Sequence, residues 1–291
     1  MNQRNRLTNP ELSPGHASYI TWENYRRGFQ WRTAHSEGRE LHRIEYPDFD
    51  GPDFFGRLIV LPPGQRSEVR KEPGDLVLLA LEGDIEVTIG ANIHVLKPLD
   101  LLAIPAGTAF SMANVGLPNG VVFGTFARGD GAVPEPRGEI QHMVWEQYRR
   151  DFRWTLPLAE QWGYHRGSGP LIRPEMLRGH TVRMPPGQTT PWHAPARDMM
   201  FMGISAEVEF AAGGGVWPLK RFDLLLIPAG TPYAYTNYGL SETVFLSIGG
   251  KLPPGRKSTY FAEDPGWPPR EGVPVIEVEI DAHGDARVKN A

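Results

Sequence analysis

The sequence contains one pattern twice, at a constant offset of 123 residues between Trp22 and Trp145. The block Trp-Glu-x-Tyr-Arg-Arg-x-Phe-x-Trp begins at each of these residues. Pro-Pro-Gly-Gln at residues 62–65 and Ile-Pro-Ala-Gly-Thr at residues 104–108 also return 123 residues later. Because the offset is the same for separated blocks, neither copy has a net insertion. Repetition on this scale predicts two similar domains.

Composition excludes several classes of function. The chain of 291 residues has a net charge of −4 and no cysteine. No run of like charges favours nucleic acid or an anionic membrane surface, and disulfides and thiolate sites are excluded. The first 15 residues are polar, which argues against a secretory signal, and no apolar run reaches the ~20 residues of a membrane span. A cytoplasmic protein is expected.

Short apolar runs alternate with turns that are rich in Gly and Pro, which predicts an all-β sandwich or barrel in each copy. We expect an N-terminal arm and first barrel over residues 1–127 and a linker over 128–141. A second barrel with its own arm would span 142–250. A Pro-rich tail would follow over 251–291, with one added strand near residues 274–280.

The two copies resemble the cupin superfamily in its two-barrel form, the bicupins. Residues 64–83 have the length of the first cupin motif, and residues 100–114 fit most of the second. Residues 187–206 and 223–237 do the same in the second copy. The resemblance implies two tandem double-stranded β-helix (jelly-roll) barrels and a small-molecule pocket.

The metal-binding positions of the resemblance are degenerate. Cupins that bind metal use two His, a Glu and a later His. In the first copy those positions hold Arg70, Glu72, Leu76 and Phe110, and in the second copy His193, Pro195, Met199 and Tyr233. A divalent metal needs three or four well-placed N or O donors, which Leu, Phe, Pro and Met cannot supply. The sequence predicts no metal and no cofactor, with an atypical site using His180 as the alternative.

Two histidines of the second copy are the candidates for chemistry. If residues 185–188 close a hairpin with Met184 opposite Thr189, His180 faces His193. Side chains alternate along a strand, so His180 and Met184 share one face, interpreted as the barrel interior. Opposed imidazoles suit a general base, assigned to His193, and its acid partner, His180. A histidine hydrogen-bonded in a packed interior is the alternative for His193.

Other side chains of the second copy would complete the pocket. Tyr233 would stabilise developing negative charge on the ligand. The predicted substrate-binding residues are Asp198, Arg197, Tyr235, Met199, Phe201 and Trp192. The Trp-rich blocks occur in both copies, so they are interpreted as arms that pack on the barrels.

The first copy has Arg57 at the position of His180 and Arg70 at the position of His193. Paired guanidiniums would clamp a carboxylate or phosphate. The alternative is an internal Arg70–Glu72 ion pair that fills an inactive barrel, and it is preferred because buried charges usually pair.

The predicted function is binding of a small polar carbonyl or carboxylate metabolite in the second barrel. The predicted chemistry is metal-independent acid–base catalysis of the isomerase, epimerase, cyclase or lyase type. A non-catalytic binding or sensing protein and a metalloenzyme with non-standard ligands, such as a dioxygenase, are the alternatives. The arm and the added strand suggest a homodimer.

Overall fold

In a computed structural model, the short apolar runs form the strands of two antiparallel β-barrels. The structure describes residues 17–27, 30–36, 39–45, 49–155, 166–169, 172, 174–252, 254–280 and 286–288. Within these ranges, no helix has the length and apolar character needed to cross a membrane.

The elements of residues 17–148 are mostly strands. They are β1 (Ser18–Ile20), α1 (Trp22–Arg27), β2 (Gln30–Ser36), β3 (Arg39–Glu45), β4 (Phe49–Asp50), β5 (Phe54–Leu61), β6 (Leu76–Glu82), β7 (Ile85–Ile89), β8 (Asn92–Leu96), β9 (Leu101–Ile104), β10 (Ser111–Asn114), β11 (Gly120–Ala127), β12 (Gln141–Met143) and α2 (Trp145–Tyr148). The last strand and the last helix of this set repeat the first strand and the first helix 123 residues later, so they begin the second copy.

The second copy repeats the central strands and adds two short pairs at its end. Its elements are β13 (Arg153–Thr155), β14 (Arg166–Ser168), β15 (Arg178–Met184), β16 (His193–Ala194), β17 (Met199–Ser205), β18 (Val208–Ala212), β19 (Gly215–Leu219), β20 (Leu224–Ile227), β21 (Tyr233–Thr236), β22 (Thr243–Gly249), β23 (Thr259–Phe261), β24 (Val275–Ile276), β25 (Val278–Ile280) and β26 (Ala286–Val288).

Each barrel is built from two sheets. In the first, strands run in the order β12-β9-β6-β11-β5-β3-β2, with β4 beside β5, and face a sheet of order β10-β7-β8. In the second, the orders are β1-β20-β17-β22-β15-β14-β13 and β19-β18-β21-β16-β23-β24. The added strand expected near residues 274–280 divides in two, because β24 joins β23 whereas β25 pairs with β26.

The barrel interiors differ in chemistry. Alternate residues of the strands face inward, and in the first barrel they are mostly aliphatic, as in Ile59, Leu78 and Val122. In the second barrel the residues at the last two of these positions are Phe201 and Phe245. The second interior therefore contains more aromatic rings than the first.

A buried asparagine closes each barrel in the same way. Asn114 donates from Nδ2 to Leu61 O at 2.8 Å and to Pro118 O at 2.7 Å. Asn237 donates to Met184 O and Ser241 O, both at 2.9 Å. These hydrogen bonds satisfy carbonyl groups at the end of a strand and in the following loop, so the shared asparagine belongs to the scaffold.

The strand that precedes each Trp-rich block pairs with the barrel of the other copy, which the expected domain boundaries did not include. Those boundaries assign β1 to the first barrel over residues 1–127, but it pairs with β20 of the second, Ser18 opposite Leu226. Strand β12 pairs with β9 of the first barrel. Accordingly, residues 23–150 belong to one compact unit, and residues 17–22 belong to the other. Sequence repetition could not reveal this, because β9 and β20 present equivalent edges to either arm.

Candidate functional site

His193 lies at one end of the second barrel, between two tyrosines. Strand β16 runs between β21 and β23, with His193 opposite both Tyr233 and Tyr260. The imidazole stacks on the ring of Tyr260, with a centroid distance of 5.2 Å and an interplanar angle of 14°. The ring of Tyr233 lies closer, at 4.1 Å, and is tilted by 52°. His193 is half-buried, so the ring is held firmly but can still be reached from solvent.

One contact of His193 defines which nitrogen is basic. Nδ1 lies 2.9 Å from the carbonyl oxygen of Pro191. A carbonyl oxygen only accepts hydrogen bonds, so Nδ1 is the donor in this contact. In the neutral imidazole the lone pair is then on Nε2, which is the state that a general base requires. The carbonyl group of Pro191 therefore orients the imidazole and fixes its tautomer, as a carboxylate does in many pairs of carboxylate and histidine.

The predicted hairpin between His180 and His193 is wrong. Strand β15, which contains His180, lies in the seven-stranded sheet, and β16 lies in the six-stranded sheet. Thr189 does not pair with Met184 but forms a bridge with Thr236 of β21. The turn at residues 185–188 carries the chain across to the other sheet instead of folding it back.

His180 nevertheless keeps the predicted face of its strand. It alternates with Val182 and Met184, which are both buried in the core of the second barrel, and it is itself half-buried. The alternation of side chains between the two faces of a strand is a local property, so the predicted face of His180 is correct even though the strand pairs with a different partner. His180 and His193 thus belong to opposite walls of the same barrel.

Two other predicted residues lie in the aromatic core. Tyr235 packs at 5.0 Å from each of the rings of Phe210 and Phe245, and it is 2% exposed. Phe201 packs at 5.4 Å from the ring of Tyr233. Of these rings, that of Tyr233 contacts His193, and the contacts of Tyr235 are those of a packing residue.

Arg197 and Met199 meet beside a glycine of β22. A Cβ atom added to Gly249 would lie 2.7 Å from Arg197 Nε and 2.7 Å from Met199 Sδ, so only glycine leaves room for both. Arg197 also donates from Nη1 to Gly250 O at 3.1 Å. The side chain is half-buried, and this places a positive charge next to the end of the barrel where β17 begins.

Asp198 and Trp192 have contacts that support the scaffold. Asp198 is buried, and its Oδ1 accepts a hydrogen bond from Ala229 N at 2.9 Å. Asp75 accepts the same bond from Ala106 N at 2.9 Å in the first barrel, which indicates a shared structural role. Trp192 is half-buried, and its carbonyl oxygen accepts from Phe261 N and so holds β23 in place.

The first barrel has arginine at the equivalent end. Arg70 forms an ion pair with Glu72, Nε to Oε1, at 3.2 Å. Its guanidinium lies 5.1 Å from the ring centroid of Phe110 and 5.9 Å from that of Phe126. The guanidinium of Arg57 lies 5.7 Å from the same Phe126 ring. The internal ion pair expected from the sequence is therefore present, and a second cation lies near it.

The residues at the cupin metal positions do not fit a metal ion. The second barrel places an imidazole, a proline ring, a thioether and a phenol there, and the first places a guanidinium beside one carboxylate. Across the ranges that the structure describes, no group of three or more His, Cys, Asp or Glu could hold a metal. Neither donor set reaches the three ligands that such a site requires.

Two residues at the site were not predicted from the sequence. Tyr260 lies on β23, outside the repeat, so comparison of the copies could not reveal it. Gly249 could have been found, because the equivalent residue of the first copy is Phe126 and a Phe-to-Gly difference inside a barrel changes the space available.

Comparison with known proteins identifies the fold. Residues 180–249 match the family model described as a cupin domain. AerE from Microcystis aeruginosa is 14% identical, with a TM-score of 0.57 over 77% of this chain and 99% of that chain. Salicylate 1,2-dioxygenase from Pseudaminobacter salicylatoxidans is 13% identical, with a TM-score of 0.60 over 81% of this chain and 84% of that chain.

A variant of that dioxygenase in complex with gentisate is 14% identical, with a TM-score of 0.64 over 81% of this chain and 82% of that chain. No curated protein sequence matches the chain significantly. At these identities the likeness concerns the fold.

Proposed function

We propose that this protein, a member of the cupin superfamily with two tandem barrels, binds a small carbonyl or carboxylate metabolite at the His193 end of its second barrel. The proposed chemistry is metal-independent acid–base catalysis of the isomerase, epimerase, cyclase or lyase type. The observation that carries the proposal is the contact of His193 Nδ1 with Pro191 O at 2.9 Å, which leaves Nε2 as the base.

The roles follow from the chemistry of the side chains around the base. Arg197, half-buried beside Gly249, would hold a carboxylate of the ligand. His193 Nε2 would remove a proton from the carbon next to the carbonyl, and the electron pair would move onto the carbonyl oxygen. Tyr233 would donate a hydrogen bond to that oxygen. For an epimerisation, protonated His180 on the opposite wall would return a proton to the other face of the same carbon, while the electron pair moves back from the oxygen to re-form the carbonyl group.

Deuterium exchange into two simple carbonyl compounds tests the proposal. Pyruvate and dihydroxyacetone would each be incubated with the protein in D2O containing EDTA, and loss of the C–H signals next to the carbonyl would be followed by NMR. We expect exchange by the wild type and a fall of about 100-fold or more in His193→Gln. His142→Gln, in the first barrel, is the control and should exchange like the wild type.

The variant Tyr233→Phe removes the hydroxyl group and keeps the aromatic ring, so it tests the hydroxyl group alone. The equivalent residue of the first barrel is Phe110, so the fold accepts phenylalanine at this position. Exchange should fall by about tenfold, since one hydrogen bond to developing charge is lost, whereas thermal stability should change little. Undiminished exchange in His193→Gln would remove the proposal.

Two other functions predict different results in the same experiment. A non-catalytic binding or sensing protein predicts ligand-dependent shifts of the His193 ring signals without exchange. A metalloenzyme such as a dioxygenase, which is the class of one structural neighbour, predicts no exchange in EDTA and an activity that requires added iron or manganese. The side chains at the metal positions favour the metal-independent proposal.

A cytoplasmic location and a homodimer remain predictions. The proposed chemistry acts on a freely diffusing small molecule and involves neither nucleic acid nor a membrane. The added strand was one of the two features that suggested a dimer, and its first part, β24, pairs with β23 of the same chain.

A further inference from the structure

We infer that the mouth of the first barrel is a second, separate binding site, for a small organic carboxylate held by Arg57 and Arg70. In the free protein the carboxylate of Glu72 occupies part of this site as an internal competitor. The inference does not depend on the chemistry proposed for the second barrel.

The two guanidiniums converge on one aromatic ring. Arg57 and Arg70 lie 5.7 Å and 5.9 Å from the centroid of Phe126, respectively. Arg57 also lies 5.4 Å from the ring of Phe55, which stacks on Phe126 at 5.0 Å with an interplanar angle of 4°. A guanidinium close to an aromatic ring is attracted to the ring and still has N–H groups that can bind a planar carboxylate.

A glycine allows this arrangement. A Cβ atom on Gly124 would lie 2.6 Å from the ring of Phe126, so any larger residue would displace the ring. Gly124 is opposite Arg57 in the sheet, so the Phe126 ring that packs over this glycine lies beside Arg57. The second barrel has Ser247 and Gly249 at the positions of Gly124 and Phe126, so the arginine–phenylalanine arrangement belongs to the first barrel.

The Arg70–Glu72 pair has the properties of an exchangeable contact. The side chains are 19% and 24% exposed, whereas Nε and Nη2 of Arg70 are buried, so a ligand carboxylate would have to take the place of Glu72 to reach them. The contact joins one nitrogen and one oxygen at 3.2 Å, which is longer than the about 2.7–2.9 Å of strong charge-assisted hydrogen bonds. A free carboxylate could bind two guanidinium N–H groups at once, which is the geometry that arginine favours.

Charge inside a barrel also argues against a purely structural role. Apolar residues of similar volume stabilise an interior as well as an ion pair does. The remainder of this interior is aliphatic, apart from its phenylalanines, so a filler would be expected to be apolar too.

Titration calorimetry of the full-length protein with benzoate tests the inference. Glu72→Gln removes the competing charge and should tighten benzoate binding by about tenfold. Arg70→Gln and Arg57→Gln should each weaken binding by at least about tenfold. Arg66→Gln is the matched control, because Arg66 forms an exposed ion pair with Glu86 at 3.3 Å, and it should bind like the wild type.

Several outcomes would overturn the inference. Unchanged or weaker binding in Glu72→Gln would show that Glu72 does not compete. Equal losses of benzoate affinity in Arg66→Gln and Arg70→Gln would indicate attraction to surface charge only. Tighter binding of inorganic phosphate than of benzoate would show that the site does not select a carboxylate. Thermal unfolding checks that each variant is folded, and two arginine variants keep the test decisive if one fails. Benzoate binding that survives His193→Gln separates this site from the second barrel.

Discussion

Strand β11 in the first barrel and strand β22 in the second carry different residues at the same inward position, Phe126 and Gly249. In the first barrel the centroid of the Phe126 ring lies 5.7 Å from the guanidinium of Arg57 and 5.9 Å from that of Arg70. In the second barrel the missing side chain leaves space that Arg197 and Met199 enter. One position thus decides which side chains meet at the mouth of each barrel, although the strands around it are the same.

The contacts between arm and barrel show the same kind of difference. In the second barrel Tyr19 of β1 packs on Trp217 at 5.8 Å and donates to Asp223 Oδ2 at 2.5 Å. Burial, and after it the hydrogen bond with Asp223, raises the pKa of Tyr19, so the Tyr19 hydroxyl stays protonated through the neutral pH range.

In the first barrel the equivalent residues are titratable. His142 of β12 lies against His94 at 5.4 Å, and its Nε2 is 3.9 Å from Asp100 Oδ2, which is an ion-pair distance rather than a hydrogen bond. Burial and then the charge of His142 lower the pKa of His94. Burial would raise the pKa of Asp100, but His142 and the N–H groups of Trp145 and Lys97 lower it overall. The first arm contact is therefore sensitive to pH.

The largest effect is expected where the barrels are the same. Asn114→Ala and Asn237→Ala each leave two carbonyl groups without the hydrogen bonds at 2.7–2.9 Å that they now accept. Each variant should lose about 3 kcal/mol of unfolding free energy, measured by urea denaturation. A loss in only one of the two variants would mean that the barrels do not share this closure.

A smaller effect should follow from giving the second barrel the residue of the first. Gly249→Phe would place atoms where Arg197 Nε and Met199 Sδ now lie. Overpacking should cost about 2 kcal/mol, and deuterium exchange should be lost because Arg197 is displaced. Val216→Phe, at an exposed site of the same barrel, is the control and should have neither effect. Full exchange in Gly249→Phe would contradict the role given to this space.

The smallest effect concerns the arm contact of the first barrel. The pKa of His94 is lower in the folded protein, so its contribution to stability is present above about pH 6.5 and is lost as the pH falls through the folded-state pKa. The lowered pKa of Asp100 contributes above the ordinary value of 3.8 and is lost only at still lower pH.

The double variant His94→Trp and His142→Tyr copies the contact of the second barrel. Urea denaturation at about pH 7 and about pH 5 should show a loss of stability in the wild type that is smaller in the variant, since the imidazoles are gone. Equal losses in the two proteins would show that the arm contact does not cause the pH dependence.

Much of the fold could be predicted because repetition and alternation are local. The offset of 123 residues, the turn motifs and the strand periodicity indicated two all-β sandwiches or barrels, and the resemblance to cupins implied that they are jelly rolls. The inward face of His180 followed from alternation with Met184. The pairing of His180 with His193 could not be predicted. A Pro-Pro-Gly turn serves equally well in a hairpin or in a crossing between sheets, and sequence patterns do not distinguish the two.

By itself, the sequence determined the two-barrel architecture, the degenerate metal positions and the residues that differ between the copies. Only the tertiary structure decided which arm joins which barrel, that His193 is held between Tyr233 and Tyr260, and that Arg57 and Arg70 approach one ring. The physical reason is the distance along the sequence between the residues that determine each feature. Side-chain periodicity is set by neighbours along the chain, whereas these contacts join strands of different segments and depend on how much space each packed neighbour leaves.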